Sequence, residues 1–126
     1  MYDANGAEFL IRGVNSAHVW WDSWGRDFAL NSISAIAATG ANTVRIVWQI
    51  QVDGGLDINY LENIIKRCIE NKLIPMIELH DATGSSNVED LLNCARWYKN
   101  NIAVFKKYHK YILINVANEW VRRNLE

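Results

Sequence analysis

The chain has 126 residues and a formal net charge of −1, with half of its residues apolar and about a fifth charged. That is ordinary globular composition, and it excludes a disordered, collagen-like or disulfide-scaffold chain. Lysine and arginine are scattered rather than striped and no apolar run reaches the ~18 residues of a membrane span, so neither nucleic acid nor membrane is expected as a partner.

A domain of this size buries roughly two thirds of the surface its unfolded chain exposes, enough for one core without staples. Cys68 and Cys94 lie on separate apolar segments with no CxxC or metal-type spacing, and both read as small core hydrophobes. No metal or cofactor is expected. Met1-Tyr2-Asp3 is not the basic start of a secretory signal, so the chain reads as cytosolic or trimmed. Six tryptophans stand against one proline, a density that suggests flat apolar surfaces offered to a ligand such as a sugar.

In chain order, Asn5-Gly6 predicts a turn in a small hairpin that leads into a strand over Phe9 to Val14. Ser16 to Arg26 carries His18, Trp20, Trp21 and Trp24 without a helical or strand period, as a long aromatic loop does. Leu30, Ile33, Ile36 and Ala37 fall at helical spacing, with Gly40 where a left-handed C-terminal cap belongs. Thr43 to Trp48 alternates as a strand, with Val44, Ile46 and Trp48 on one face and Thr43, Arg45 and Val47 on the other. After a Gly54-Gly55 turn, Asp57 caps a helix whose stripe is Ile58, Leu61, Ile65, Cys68 and Ile69, ending near Asn71.

Leu73 to His80 reads as a third strand with Pro75 among its first residues, where a missing N–H is tolerated. Ser86-Asn87-Val88-Glu89 has the form of a capping box, opening a helix with Leu91, Leu92 and Ala95 as its buried face. A helical stretch from Ile102 to Tyr108 extends it, and Tyr111 to Val116 makes a fourth strand. Strands separated by helical crossovers imply an α/β fold of right-handed βαβ units with a parallel sheet. No fourth helix is completed before Glu126, and the final Leu125-Glu126 has the look of a vector-derived end. The expected architecture is half of a (β/α)8 barrel: about four parallel strands, three helices and an N-terminal hairpin.

In such folds the reactive residues gather at the carboxyl ends of the strands. Asn15 and His18 follow the first strand, Arg45 lies in the second, and Glu78 and His80 end the third. Asn115, Asn118 and Glu119 end the fourth. Alternation puts Glu119 on the face of Asn115, and Glu78 on the face of His80. Arg45 is expected to pair with a carboxylate such as Glu78 or Glu119, which by itself is consistent with a purely structural ion pair, as His80 is with a hydrogen-bonded core group. Glu119, set between Asn118 and Trp120 after an apolar strand, is the acid whose burial would be costly without a purpose.

Asn5-Gly6 before Arg12-Gly13-Val14-Asn15, then Thr39-Gly40-Ala41-Asn42-Thr43-Val44-Arg45, His80-Asp81-Ala82-Thr83-Gly84 and Ala117-Asn118-Glu119-Trp120, together resemble glycoside hydrolase family 5. They are most similar to its bacterial endo-β-1,4-glucanases and β-mannanases, which are (β/α)8 barrels, and the motifs run across nearly the whole chain. The resemblance implies that Glu119 is the general acid/base and that Asn118 hydrogen-bonds the sugar 2-hydroxyl. It implies that Arg45 and His80 organise the carboxylates and the sugar, and that His18, Trp20 and Trp120 contact substrate. A raised pKa suits an acid that protonates a glycosidic oxygen, and an apolar mouth beside Trp120 is expected to supply it by desolvation.

The resemblance also implies secretion, a β-1,4-linked polysaccharide or oligosaccharide as partner, and a second carboxylate about 5–5.5 Å from the acid. In the family that nucleophile comes from the seventh strand, which this sequence does not contain. Glu78 and Asp81 are the nearest spare carboxylates, and neither matches the nucleophile. The leading expectation is therefore the N-terminal half of a retaining endo-β-1,4-glycanase, inactive alone, with the His-Asp-Ala-Thr-Gly segment leaning toward the mannanase branch. Two alternatives are a carbohydrate-binding unit stacking sugars on Trp20, Trp21, Trp24 and Trp120, and a self-associating half-barrel. Two open sheet edges lead to the expectation of a two-fold homodimer.

Overall fold

The β-branched run Thr43–Trp48 (β2) and the apolar run Ile74–Leu79 (β3) form the two inner strands of a four-stranded parallel sheet. Gly13–Ser16 (β1) and Leu113–Asn115 (β4) flank them, in the spatial order β1-β2-β3-β4. The computed structural model describes residues 2, 5–24, 26–52 and 56–121, without the side chains of 23 and 24. The Gly54-Gly55 turn, the Trp24 side chain and Leu125-Glu126 lie outside the described residues. Phe28–Ala38 (α1), Ile58–Glu70 (α2), Val88–Asn100 (α3) and Ile102–Lys107 (α4) connect the strands.

Parallel pairing aligns Asn15 with Arg45 and Arg45 with Met76, then Val47 with Glu78 and Glu78 with Asn115. Side chains alternate, so this register sorts the sheet into two faces. Val44, Ile46, Trp48, Ile77 and Leu79 are buried with Ile33 of α1, Leu61, Ile64, Ile65 and Cys68 of α2, and Cys94 and Tyr98 of α3. Each fully buried aliphatic side chain there contributes about 1.5–3 kcal/mol over leaving it in water. The opposite face carries Asn15, Thr43, Arg45, Met76, Glu78 and Asn115, with a groove of about 290 Å³ beside Arg45. Cys68 and Cys94 are buried and unpaired, and burial pushes the Cys68 thiol up to about 12.

Local chemistry accounts for most element boundaries. Gly40, at φ 83°, terminates α1 in the expected left-handed turn. The Asp57 carboxylate accepts from the N–H groups of Asn59 and Tyr60 and caps α2 as expected. Pro75 is the second residue of β3, where the sequence places it. Glu62 of α2 accepts from Lys107 Nζ and from the Tyr108 hydroxyl, each at 2.7 Å, so α4 is moored to α2. Those bonds hold the Glu62 carboxyl down to about 2.

Other boundaries differ from expectation. Among the described residues, the hairpin is represented by an antiparallel bridge between Tyr2 and Glu8. Residues 9–12 stay out of the sheet because the Asn42 side chain takes the place of a neighbouring strand. Its Oδ1 accepts from Arg12 N–H at 2.8 Å and its Nδ2 donates to the Leu10 carbonyl at 2.9 Å. The aromatic segment is a 3-10 turn over His18–Trp24 rather than a loop. Asn87, not Ser86, caps α3, accepting from Glu89 N–H. Helix α3 buries Cys94 and Tyr98 while Leu92 and Ala95 are exposed, because its rotation is set by the Tyr98 hydroxyl, 3.1 Å from the carbonyls of both Ile77 and Asn115.

β1 packs against β2 so closely that a Cβ on Gly13 would lie 2.3 Å from the Thr43 carbonyl oxygen. Backbone, not a flexible side-chain tip, is the obstacle. Gly13→Ala is therefore expected to cost about 1–3 kcal/mol, the range of overpacking substitutions, read as a lower urea midpoint. An unchanged midpoint would show that the β1–β2 spacing relaxes freely.

Candidate active site

Register and alternation bring one acid to the middle of the polar face. Glu78 is fully buried, with Oε1 3.2 Å from His80 Nδ1 and Oε2 3.5 Å from Arg45 Nη1. The Arg45 contact is an ion pair without hydrogen-bond geometry, since Oε2 accepts no hydrogen bond from the described residues. Arg45 spends its donors elsewhere. Nη2 donates to Asn118 Oδ1 at 2.8 Å and Nη1 to Asn15 Oδ1 at 3.5 Å. Asn118 Nδ2 in turn donates to Thr83 Oγ1 at 3.1 Å, and Thr83 Oγ1 donates to the His80 carbonyl at 2.7 Å. All four strand ends are linked through this network, and Arg45 has the carboxylate partner expected of it.

Burial raises the Glu78 carboxyl above the usual carboxylate range, and the positive charge of Arg45 and the hydrogen bond with His80 only partly offset that. The desolvated acid is thus Glu78 rather than Glu119. Glu119 is exposed and lies past the end of β4, so the expected alternation with Asn115 does not hold. The regular strand stops at Asn115, and Glu119 sits at φ 40° with its carbonyl accepting from Gly84 N–H at 3.1 Å. A left-handed conformation at a non-glycine residue costs of order 1–3 kcal/mol, and such strain concentrates at functional sites.

Trp20 closes one side of the cluster. Its indole N–H donates to the Val47 carbonyl at 2.9 Å, and its ring meets His80 edge-on with centroids 5.2 Å apart. Trp120 is half-buried, its indole N–H donating to the Asn87 carbonyl at 3.3 Å. His18 is not brought to the cluster by any described bond, because its Nδ1 lies 2.9 Å from Ser16 Oγ and 3.5 Å from Ser32 Oγ of α1. Asp81 ties the loop after β2 to the end of β3, accepting from Ile50 N–H at 3.0 Å. The tryptophans divide by role: Trp48 is core and Trp97 packs on Tyr98 and Phe105. Of the tryptophan side chains described, Trp21 alone is more than half exposed, at 52%, and its ring lies beside that of Trp20, with centroids 6.2 Å apart and 31° between the planes.

Asp22 escapes the sequence reading. It is buried and accepts from the N–H groups of Phe28 and Ala29 and from the Tyr60 hydroxyl, fixing the segment that carries Trp20 to α1 and α2. Its cap acts from six residues before Phe28, outside the local window in which a cap is recognisable, and the adjacent Asp27 makes no side-chain cap bond. Among the described residues, no group of three or more His, Cys, Asp or Glu side chains is placed to hold a metal ion.

The sequence model of Cellulase (glycosyl hydrolase family 5) matches residues 2–126. The chain is 39% identical over 125 residues to a mannan endo-1,4-beta-mannosidase of Salipaludibacillus agaradhaerens, covering 95% of this chain and 38% of that protein. It is 33% identical to the protein of that name from Streptomyces lividans, covering 93% of this chain and 30% of the relative. A crystal structure of a beta-mannanase from Streptomyces thermolilacinus superposes with a TM-score of 0.81 at 29% identity, over 98% of this chain and 41% of that one. The chain thus spans about two fifths or less of the length of these proteins, and its four-stranded sheet matches part of their barrel.

Arg45→Met leaves Glu78 buried without its guanidinium. Breaking such a pair costs about 3–5 kcal/mol. Because burial already raises the folded-state pKa of Glu78, and Arg45 is what opposes that rise, the variant's deficit is largest above the folded pKa. It shrinks as pH falls and the acid becomes neutral. Urea unfolding of both proteins from pH 7 down to pH 4 measures this; a deficit independent of pH would contradict the ion-pair assignment.

Proposed function

The chain belongs to glycosyl hydrolase family 5, and we propose that it supplies the first four βα units of a retaining endo-β-1,4-glycanase barrel acting on mannan. The observation that carries this reading is the Arg45–Asn118 bond beside Glu119, which reaches across β3 from β2 to the residues that follow β4. Because the Asn118 Oδ1 is taken by Arg45, the amide must present its NH2 side outward. One of its two hydrogens goes to Thr83 and the other remains for a sugar hydroxyl. Glu119, the next residue, then protonates the leaving glycosidic oxygen while a carboxylate attacks the anomeric carbon from the opposite face. His80 and Trp20 form the adjoining wall, and His18 and Trp120 lie at its margins.

The attacking carboxylate is the part these residues do not supply. Glu78 is committed to Arg45 and His80 and is fully buried, and Asp81 is committed to Ile50 N–H. Hydrolysis therefore depends on a carboxylate from outside the 126 residues. Preference for mannan over glucan is favoured by the mannan endo-1,4-beta-mannosidases among the similar proteins. A polymer substrate of this kind also places the work of the protein outside the cell.

The 126-residue chain is expected to shift the amide signals of Asn118, Glu119 and Trp20 on addition of mannohexaose, yet to release no reducing ends from mannan. Turnover of about 1 s⁻¹ or more that vanishes in Glu119→Gln would overturn the need for an outside nucleophile. Signal shifts confined to residues away from the strand ends would overturn the site.

We further propose that, made alone, two copies close into one eight-stranded sheet, β4 of each against β1 of the other about a two-fold axis. Val14 of β1 and Ile114 of β4 are 45% and 43% exposed although their sheet neighbours Val44 and Ile77 are buried, and unpaired parallel edges are adhesive. Sedimentation at micromolar concentration is expected to give a dimer; a folded monomer would refute it.

A further inference from the structure

Burying a carboxylate is costly, and replacing a buried ion pair by apolar groups of similar volume is often neutral or stabilising. Nothing in the helix-packed core needs an acid at position 78. Among the described residues, the basic side chains within 4 Å of Glu78 are Arg45, midway along β2, and His80, just past the end of β3. The two oxygens act differently. Oε2 accepts no hydrogen bond from the described residues and attracts Arg45 by charge alone from 3.5 Å, leaving the guanidinium hydrogens to fix Asn118 and Asn15. With Glu78 ionised in its pair with Arg45, Oε1, 3.2 Å from Nδ1 of His80, requires that nitrogen to carry a hydrogen, because an ionised carboxylate accepts only.

We propose that Glu78 is the positioning residue of the glycan site: from beneath, it holds Arg45 against Asn118 and locks neutral His80 in the Nδ1–H tautomer, so that Nε2 is left as a bare acceptor for a substrate hydroxyl. The role of Nε2 rests on the glycan reading of the strand ends; the hold on His80 does not. A free imidazole carries its hydrogen on either nitrogen, and the bond made by one nitrogen decides what the other offers. The edge-on Trp20 ring, anchored to the Val47 carbonyl, keeps the imidazole from turning away from Glu78. The mouth then presents a fixed pattern of donor at Asn118 and acceptor at His80, set by one acid that never touches the sugar.

The test is 15N correlation spectroscopy of His80 at a pH where the imidazole is neutral, on the wild type, Glu78→Gln and Glu78→Met. The wild type is expected to show the Nδ1–H form. Glu78→Met is expected to shift His80 toward Nε2–H and to bind mannohexaose about tenfold more weakly, and both variants are expected to move the Asn118 side-chain amide signals. An Nε2–H signature in the wild type overturns the proposal with no variant needed, which covers the case that neither substitution folds. An unchanged tautomer or an unchanged affinity in folded Glu78→Met overturns it as well. If the wild type fails to bind mannohexaose, the glycan reading falls, and the tautomer measurement still decides for or against the hold on His80.

Discussion

The parallel register that sets Val47 against Glu78 and Glu78 against Asn115 is the constraint on which the site depends. A slip of one residue would exchange the faces of the sheet. Arg45 and Glu78 would then meet the helices, and Ile46 and Ile77 would face the polar groove. The register is held by burial, since Val44, Ile46, Ile77 and Leu79 fill the space under α1, α2 and α3. It is also held by the glycine at 13, which lets β1 approach the Thr43 carbonyl. Apolar packing on one side of the sheet thus positions charged groups on the other.

Within that frame the two acids at the strand ends have opposite environments. Glu78 is desolvated and paired, while Glu119 is exposed on a backbone turn of positive φ. A buried acid with its hydrogen-bonding directed at neighbours suits orientation, and an accessible acid suits proton transfer to a ligand. The chain divides these roles between residues on adjoining strands, with Arg45 and Asn118 as the link.

The aromatic segment before α1 shows how a functional wall is made rigid without a strand or a long helix. Asp22 is buried against the first N–H groups of α1 and the Tyr60 hydroxyl, and Trp20 is bonded to the backbone of β2. Burial and the neighbouring carboxylates push the Tyr60 hydroxyl far above its ordinary range, so it remains a donor to Asp22 at any physiological pH. Indole nitrogens that satisfy backbone carbonyls leave the ring faces as the part of each side chain available for contact.

The sequence by itself determined the alternation of strands and helices, the cap at Asp57, the left-handed stop at Gly40, the place of Pro75 and the meeting of Asn15, Arg45, Glu78, His80 and Asn118. Those are local properties: period, branching, turn chemistry and motif spacing act within a few residues of one another. Tertiary structure alone decided which acid is buried, how α3 is rotated, and where β1 begins. Glu78 and Glu119 look alike along the chain, and only the neighbours brought from other strands desolvate the first and leave the second in water. The face of α3 was set by the Tyr98 hydroxyl reaching two carbonyls from different strands, and the start of β1 by a side chain 30 residues away from Arg12. These outcomes depend on contacts between distant segments, and no local pattern in the chain encodes such contacts.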